Sequence, residues 1–316
     1  MITKNTVLIL GAGASMPYGF PSGRQLVEDI RDTDIAPDYL AGAGRNVQEL
    51  GKLREELREA DPSSIDGFLE HRKELIPIGK AAIAYALIKY EQPGWLYPDE
   101  STFRRNDRLD RGEQWYRQLA ERLVTDIDSF HNNKLTIVTF NYDRSLDHYL
   151  FQAFLRRWGS GPGKVVDAFR SLPIIHLHGQ LGLLPWQTQD SQSTRPYEGG
   201  VSGQAVQIAA TGIKIISEPD LEDSAEFKQA RGFLNAAERV YILGFGYHAD
   251  NMRRLQLPLI GHRCYDRSRL ILGTCYGFTE IEKQFLEDKF QGIEFSDPSR
   301  RIVDTLRNCQ RFVFDV

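Results

Sequence analysis

Three short stretches of this 316-residue chain set chemically useful side chains directly after apolar runs. The first, "VLILGAGASMPYGFPSGR", spans residues 7 to 24 and carries Gly11 and Gly13 one residue apart. A glycine-rich turn between a strand and a helix lets backbone amides approach an anionic group such as a pyrophosphate. The third glycine of the dinucleotide fingerprint is absent, because Met16 stands there and the next glycine is Gly19. Taken alone, the pair also reads as a tight turn with no ligand. The second stretch, "IVTFNYDRSLDHYL", puts Asn141 and Asp143 between an apolar run and a helical pattern. They either face a ligand or cap the helix. The third, "PIIHLHGQLG", holds His176 and His178 at a spacing that sends both to one face of a strand. A metal site would need a carboxylate or cysteine partner pattern, and none accompanies them. His178, just before Gly179, is the candidate general base, with an ordinary pKa close to neutrality. His176 reads as a satisfied core histidine. A fourth glycine-rich stretch, "GSGPGKV" from Gly159, is no phosphate-binding P-loop: Val165 replaces the magnesium-binding hydroxyl and Trp158 the first glycine.

Such residues need strands to place them. Apolar runs at Val7 to Leu10, Leu135 to Phe140, Pro173 to Leu177, Ile213 to Ile216, Val240 to Leu243 and Leu270 to Leu272 read as buried strands separated by helical patterns. That is an α/β fold with a Rossmann-like, doubly wound parallel sheet and ligands at the carboxyl ends of its strands. Between the first two runs, residues 25–130 carry apolar residues at helical spacing in segments starting at Arg45, Ser64, Gly79 and Gly112, so a helical module is inserted into the sheet domain. "EQPGWLYPDEST" reads as a loop inside it, and the arginine-rich stretch Phe103 to Arg122 as a solvated helical face. The polar, glycine-bearing segment Gln187 to Gln204 reads as a mobile loop.

Composition narrows the classes. With 41% hydrophobic residues the chain buries a full core. A net charge of -4 argues against a protein that wraps a nucleic-acid backbone. The three cysteines, Cys264, Cys275 and Cys309, form no C-x-x-C pair, so neither a zinc site nor a disulfide framework is legible. A reducing cytoplasm fits that usage, and no apolar stretch is long enough to span a bilayer.

Taken together, the turns resemble the sirtuin superfamily, and more closely its Sir2-like branch of prokaryotic NAD-hydrolysing defence effectors. The sirtuin loop G-A-G-x-S followed by G-x-P-x-F-R is matched by Gly11, Ala12, Gly13, Ser15, Gly19, Pro21 and Arg24, with Gly23 where the phenylalanine belongs. Its T-Q-N-x-D turn is matched by Thr139, Phe140, Asn141, Tyr142 and Asp143, and its H-G pair by His178 and Gly179. "KIISEPD" from Lys214 is similar to the strand ending in G-E. "VYILGFGYHADN" from Val240 resembles the G-T-S turn, with Gly246 replacing the serine.

The resemblance implies one Sir2-like domain over residues 1–316 and NAD+ as substrate, with no metal. It places the pyrophosphate on Gly11, Ala12, Gly13, Ser15, Pro21 and Arg24, and the adenosine side near Gly244, Gly246 and Asp250. The nicotinamide ribose falls near Thr139, Asn141 and His178, with Asp143 on the carboxamide. The four-cysteine zinc module of deacetylases is missing, because no cysteine lies between His178 and Cys264. Water then replaces the acyl-lysine acceptor, and the reaction becomes hydrolysis of NAD+ to nicotinamide and ADP-ribose. The expected setting is antiphage defence by NAD depletion, with low basal turnover. The sheet domain and its insertion use up the chain, so activation is expected from a homo-oligomer joined by a separate partner such as a HerA-like ATPase or a short Argonaute. The alternatives are a protein deacylase or ADP-ribosyltransferase, and an NAD- or ADP-ribose-binding regulatory subunit without turnover.

Overall fold

A computed structural model describes residues 1–215, 224–257 and 270–309. Its frame is one six-stranded sheet, all parallel, in the order β3-β2-β1-β4-β5-β6. The strands are β1 (Thr6–Leu10), β2 (Leu135–Thr139), β3 (Ile174–His176), β4 (Arg239–Leu243), β5 (Leu270–Gly273) and β6 (Glu294–Phe295). This is the strand order of doubly wound dinucleotide-binding sheets, and the order reverses between β1 and β4. Alternate residues feed two cores: Leu8, Leu10, Ile137 and Leu243 on one face, Val7, Ile9, Val138 and Ile242 on the other. With both faces buried, each strand reads as a continuous apolar run rather than an alternating one.

Between β1 and β2 the chain forms eight α-helices: α1 (Gly23–Asp32), α2 (Pro37–Gly42), α3 (Val47–Ala60), α4 (Ile65–His71), α5 (Ile76–Ile88), α6 (Pro93–Leu96), α7 (Glu100–Arg105) and α8 (Trp115–Arg122). Ser22 starts α1 through a capping box with Gln25, and Asn46 starts α3 through one with Glu49. Residues Ala81 to Ile88 of α5 are all buried, which explains a helix apolar all round: it is the hub on which its neighbours pack. After β2 come α9 (Ser145–Trp158) and α10 (Pro162–Phe169), then α11 (Gly203–Gly212), α12 (Ala225–Ala236) and α13 (Ala249–Arg254). The described chain closes with α14 (Glu280–Lys289) and α15 (Ile302–Asn308). No described helix is long and apolar enough to cross a membrane.

Four sequence expectations change. Ile213 to Ile215 form no strand of the sheet; Ile213 makes a single antiparallel bridge to Gly179, and Ile216, with the rest of "KIISEPD", lies outside the described residues. The expected loop from Glu91 contains α6 and the start of α7, because Pro93 and Asp99 open helical turns. The expected helical face from Phe103 to Arg122 breaks after Arg105 and resumes at Trp115. The segment Gln187 to Gln204 is pinned: Arg195 and Tyr197 are buried, and Arg195 pairs with the fully buried Glu91. Arg144 grips the same carboxylate at 2.8 and 2.5 Å and donates to the carbonyl oxygens of Gly182, Arg195 and Pro196.

Candidate functional site

A cleft of about 1080 Å³ opens where the strand order reverses, at the carboxyl ends of the strands. Its walls include Gly11, Ala12 and Gly13 after β1, Asn141 after β2, His178 after β3, Gly244 and Gly246 after β4, and Thr274 after β5. Asp250 and Gly23 also reach it. The helical segment supplies the opposite wall, with Asp66, Glu70 and Glu113 among its residues. Eight of the sequence-derived site residues therefore meet in one cavity, although they lie far apart in the chain.

The two glycine turns pack backbone against backbone. Gly11 N–H donates to the Leu243 carbonyl at 3.0 Å, and Gly13 N–H to the Gly244 carbonyl at 2.9 Å. Gly244 adopts φ +59, and a Cβ there would lie 2.2 Å from the Ala14 nitrogen. The glycines are required by this close approach. The amides of Ala14, Ser15 and Met16 are likewise committed, to the carbonyls of Gly11 and Ala12. Gly179 has φ +70 and its hydrogen faces the Gly212 carbonyl, where a Cβ would come within 1.9 Å. Only glycine can turn the chain there directly after His178.

A chain of hydrogen bonds positions Asn141. Its Nδ2 donates to the Gly11 carbonyl at 2.9 Å and to Ser15 Oγ at 3.1 Å, and its own N–H donates to Thr139 Oγ1. Ser15 Oγ in turn donates to Asp143 Oδ2 at 2.7 Å. Asp143 Oδ1 accepts from Ser145 N–H at 3.0 Å and from the Ser145 hydroxyl, which also meets Tyr116 from α8 at 2.6 Å. Asp143 is buried and outside the cleft wall, so in this structure it braces Ser15 and the start of α9. Burial holds its carboxyl above the ordinary value, against the pull of Ser145 and Ser15. Ser15, Thr139 and Pro21 also stand behind the wall rather than in it.

The two histidines part company because β3 ends at His176. His176 is buried, with Nδ1 against the Asn141 carbonyl at 3.1 Å and Nε2 3.3 Å from both Asp147 oxygens. Burial opposes its charge, but Asp147 and the Asn141 carbonyl hold its pKa above the usual value. His178 packs among Phe140, Tyr142 and Phe227. Burial, reinforced by the nearby Arg254 charge, pushes its pKa down to about 3, so it is a neutral imidazole rather than one poised near neutrality.

Arg24 leaves the site. At the second position of α1 its half-exposed guanidinium pairs with Glu28 at 3.3 Å and Asp61 at 3.1 Å. Gly23 beside it opens α1 and lines the cleft, and a Cβ there would sit 3.3 Å from the Ser63 carbonyl.

The structure adds residues that no sequence pattern marked. Arg254, at the end of α13, is buried and lines the cleft; its Nη2 bonds Glu70 of α4 at 3.1 Å. Arg254 Nη1, Asn251 Oδ1 and His178 Nε2 have no hydrogen-bond partner among the described residues. Buried polar atoms left unpaired in this way mark strain or a place for a missing ligand or water. Glu113, near the start of α8, accepts from Val303 N–H at 3.0 Å, and burial pushes its carboxyl up to about 7. Burial also raises Asp66, which accepts from the Tyr142 hydroxyl. Among the described residues no group of three or more His, Cys, Asp or Glu side chains could hold a metal ion.

The chemistry available is that of a largely apolar, partly enclosed cleft with an oriented amide, a neutral imidazole and a buried guanidinium at one end of a parallel sheet. No protein-family model matches the chain, and no curated protein matches it either.

Proposed function

We propose that the protein is an NAD+ glycohydrolase, a single Sir2-like domain with the helices of residues 25–130 inserted in it. The observation that carries this reading is the meeting of the Gly11–Gly13 turn, Asn141 and His178 in one cleft at the point where strand order reverses. The spacing of the matched residues in the sequence supports it independently.

In this reading NAD+ lies across the strand ends with its nicotinamide ribose between Asn141 and His178. Nicotinamide in NAD+ is a cationic leaving group, so the glycosidic bond breaks toward an oxocarbenium-like ribose with little need for acid. Asn141, fixed by Gly11 and Ser15, holds the ribose and orders the attacking water. Water adds to the anomeric carbon, nicotinamide departs neutral with the bonding electron pair, and the water's second proton passes to solvent. His178, neutral across the physiological range, accepts a hydrogen bond from a ribose hydroxyl or the water instead of taking the proton outright. Asp143 acts through Ser15 rather than on the carboxamide.

Free nicotinamide released from NAD+ by the purified protein, alone and with the product of a neighbouring gene, tests this. Asn141→Ala and His178→Ala are each expected to lower release by about 100-fold or more. Release that persists in both variants removes the site assignment. NAD+ binding without turnover in every assembly state replaces hydrolysis with the regulatory reading. Depletion of NAD in antiphage defence, oligomerisation and an ATPase or Argonaute partner belong to this proposal through the Sir2-like resemblance.

A further inference from the structure

A diphosphate in the cleft is held by backbone N–H donors or by a cation, and Arg24, the arginine matched to that role, faces away and is held by Glu28 and Asp61. The Gly13, Ala14, Ser15 and Met16 amides are also committed to protein carbonyls, so this loop offers few free donors. Of the other cleft arginines, Arg301 pairs with Asp110 at 2.5 Å and Arg108 lies over the Tyr90 ring.

Arg254 differs. It is 6% exposed, lines the cleft, and has one nitrogen, Nη1, with no partner among the described residues. A guanidinium presents five N–H donors in a fixed fork; among the described residues Nη2 bonds Glu70, and the two N–H groups of Nη1 have no partner. Asn251 precedes it by three residues on α13, so both side chains share a helix face. The free Asn251 Oδ1 can accept only where Arg254 donates, which pairs an anion site with a hydroxyl site.

We propose that Arg254 binds the ligand's diphosphate while Asn251 takes an adjoining ribose hydroxyl, so that the cleft recognises a phosphorylated ribose. This rests on the reading of the cleft as an NAD site, and it moves the phosphate-binding role from α1 to α13. Glu70 is the resting partner that the ligand phosphate displaces or joins.

Calorimetric titration of the full chain with ADP-ribose, inorganic pyrophosphate and adenosine tests it. Arg254→Gln is expected to weaken ADP-ribose and pyrophosphate about 10- to 100-fold, leaving adenosine within about twofold. Arg24→Gln is expected to leave all three unchanged, and Arg254→Lys to regain part of the loss. Because Arg254→Gln leaves Glu70 without its counter-charge, the double variant Glu70→Gln/Arg254→Gln is measured beside it with a thermal melt, and the same loss is expected. Pyrophosphate binding unchanged in the double variant overturns the proposal. Wild-type protein that binds pyrophosphate but not ADP-ribose defeats the NAD reading while the Arg254 variants still decide the anion site. Binding of neither overturns both.

Discussion

Burying a neutral imidazole ties stability to pH, and His178 allows the size of that effect to be worked out. In the folded protein its pKa lies at about 3, against an ordinary 6.5 for the unfolded chain. A base whose folded pKa is lowered contributes stability that is full above the unfolded value and is lost as pH falls toward the folded one. Between pH 8 and pH 5 the unfolded imidazole becomes almost fully protonated while the folded one stays neutral. The difference integrates to about 1.5 pKa units, or about 2 kcal/mol, of stability lost over that interval. His176 changes in the opposite sense, its raised folded pKa adding stability below the unfolded value and losing it as pH rises through the folded one. The comparison must therefore isolate one group. Urea unfolding of wild type and His178→Gln at pH 8 and pH 5 does this, because every other group titrates in both proteins. The wild type is expected to lose about 2 kcal/mol more than the variant. Equal losses would refute the claim that His178 is buried and neutral, and with it the argument that it acts by accepting a hydrogen bond.

Three further outcomes follow from the packing. Glu91→Gln removes the only carboxylate against Arg144 and Arg195 among the described residues in that buried cluster and is expected to cost about 3 kcal/mol in urea unfolding. Gly244→Ala forces a side chain into a left-handed position 2.2 Å from the Ala14 nitrogen, and a loss of at least about 2 kcal/mol is expected in the same assay. Ser15→Ala breaks the bonds to Asp143 and Asn141, so NAD+ turnover is expected to fall in kcat more than in KM, as measured by steady-state kinetics.

The strands that lie in the middle of the sheet were legible because burial on both faces makes each a continuous apolar run. β1, β2 and β4 end within one residue of the sequence reading. β6 was not, since Glu294 and Phe295 are two residues at an edge and carry no pattern. Ile213 to Ile215 shows the converse error: two buried isoleucines at the Gly179 contact look like a strand, but among the described residues the segment bridges Gly179 only once. At the site, spacing located the turns after β1 and β4 because their close approach requires glycine, and the turn after β2 because the Asn141 side chain ties it to Gly11 and Ser15. It misplaced Arg24, whose direction depends on where α1 begins and on which acids α1 and the end of α3 present. Arg254 carried no signal at all; within "ADNMRRLQL" nothing separates a buried arginine from the exposed Arg253 before it. Asp143 was readable as a cap, and that half of the reading matches its bond to Ser145.

The central claim is that NAD+ lies across the strand ends with its ribose between Asn141 and His178. A crystal structure of His178→Ala soaked with NAD+ tests it most directly. The account predicts intact dinucleotide in the cleft, its nicotinamide ribose beside Asn141 and its diphosphate within hydrogen-bond distance of Arg254. Dinucleotide bound elsewhere, or an empty cleft at saturating NAD+, would contradict it.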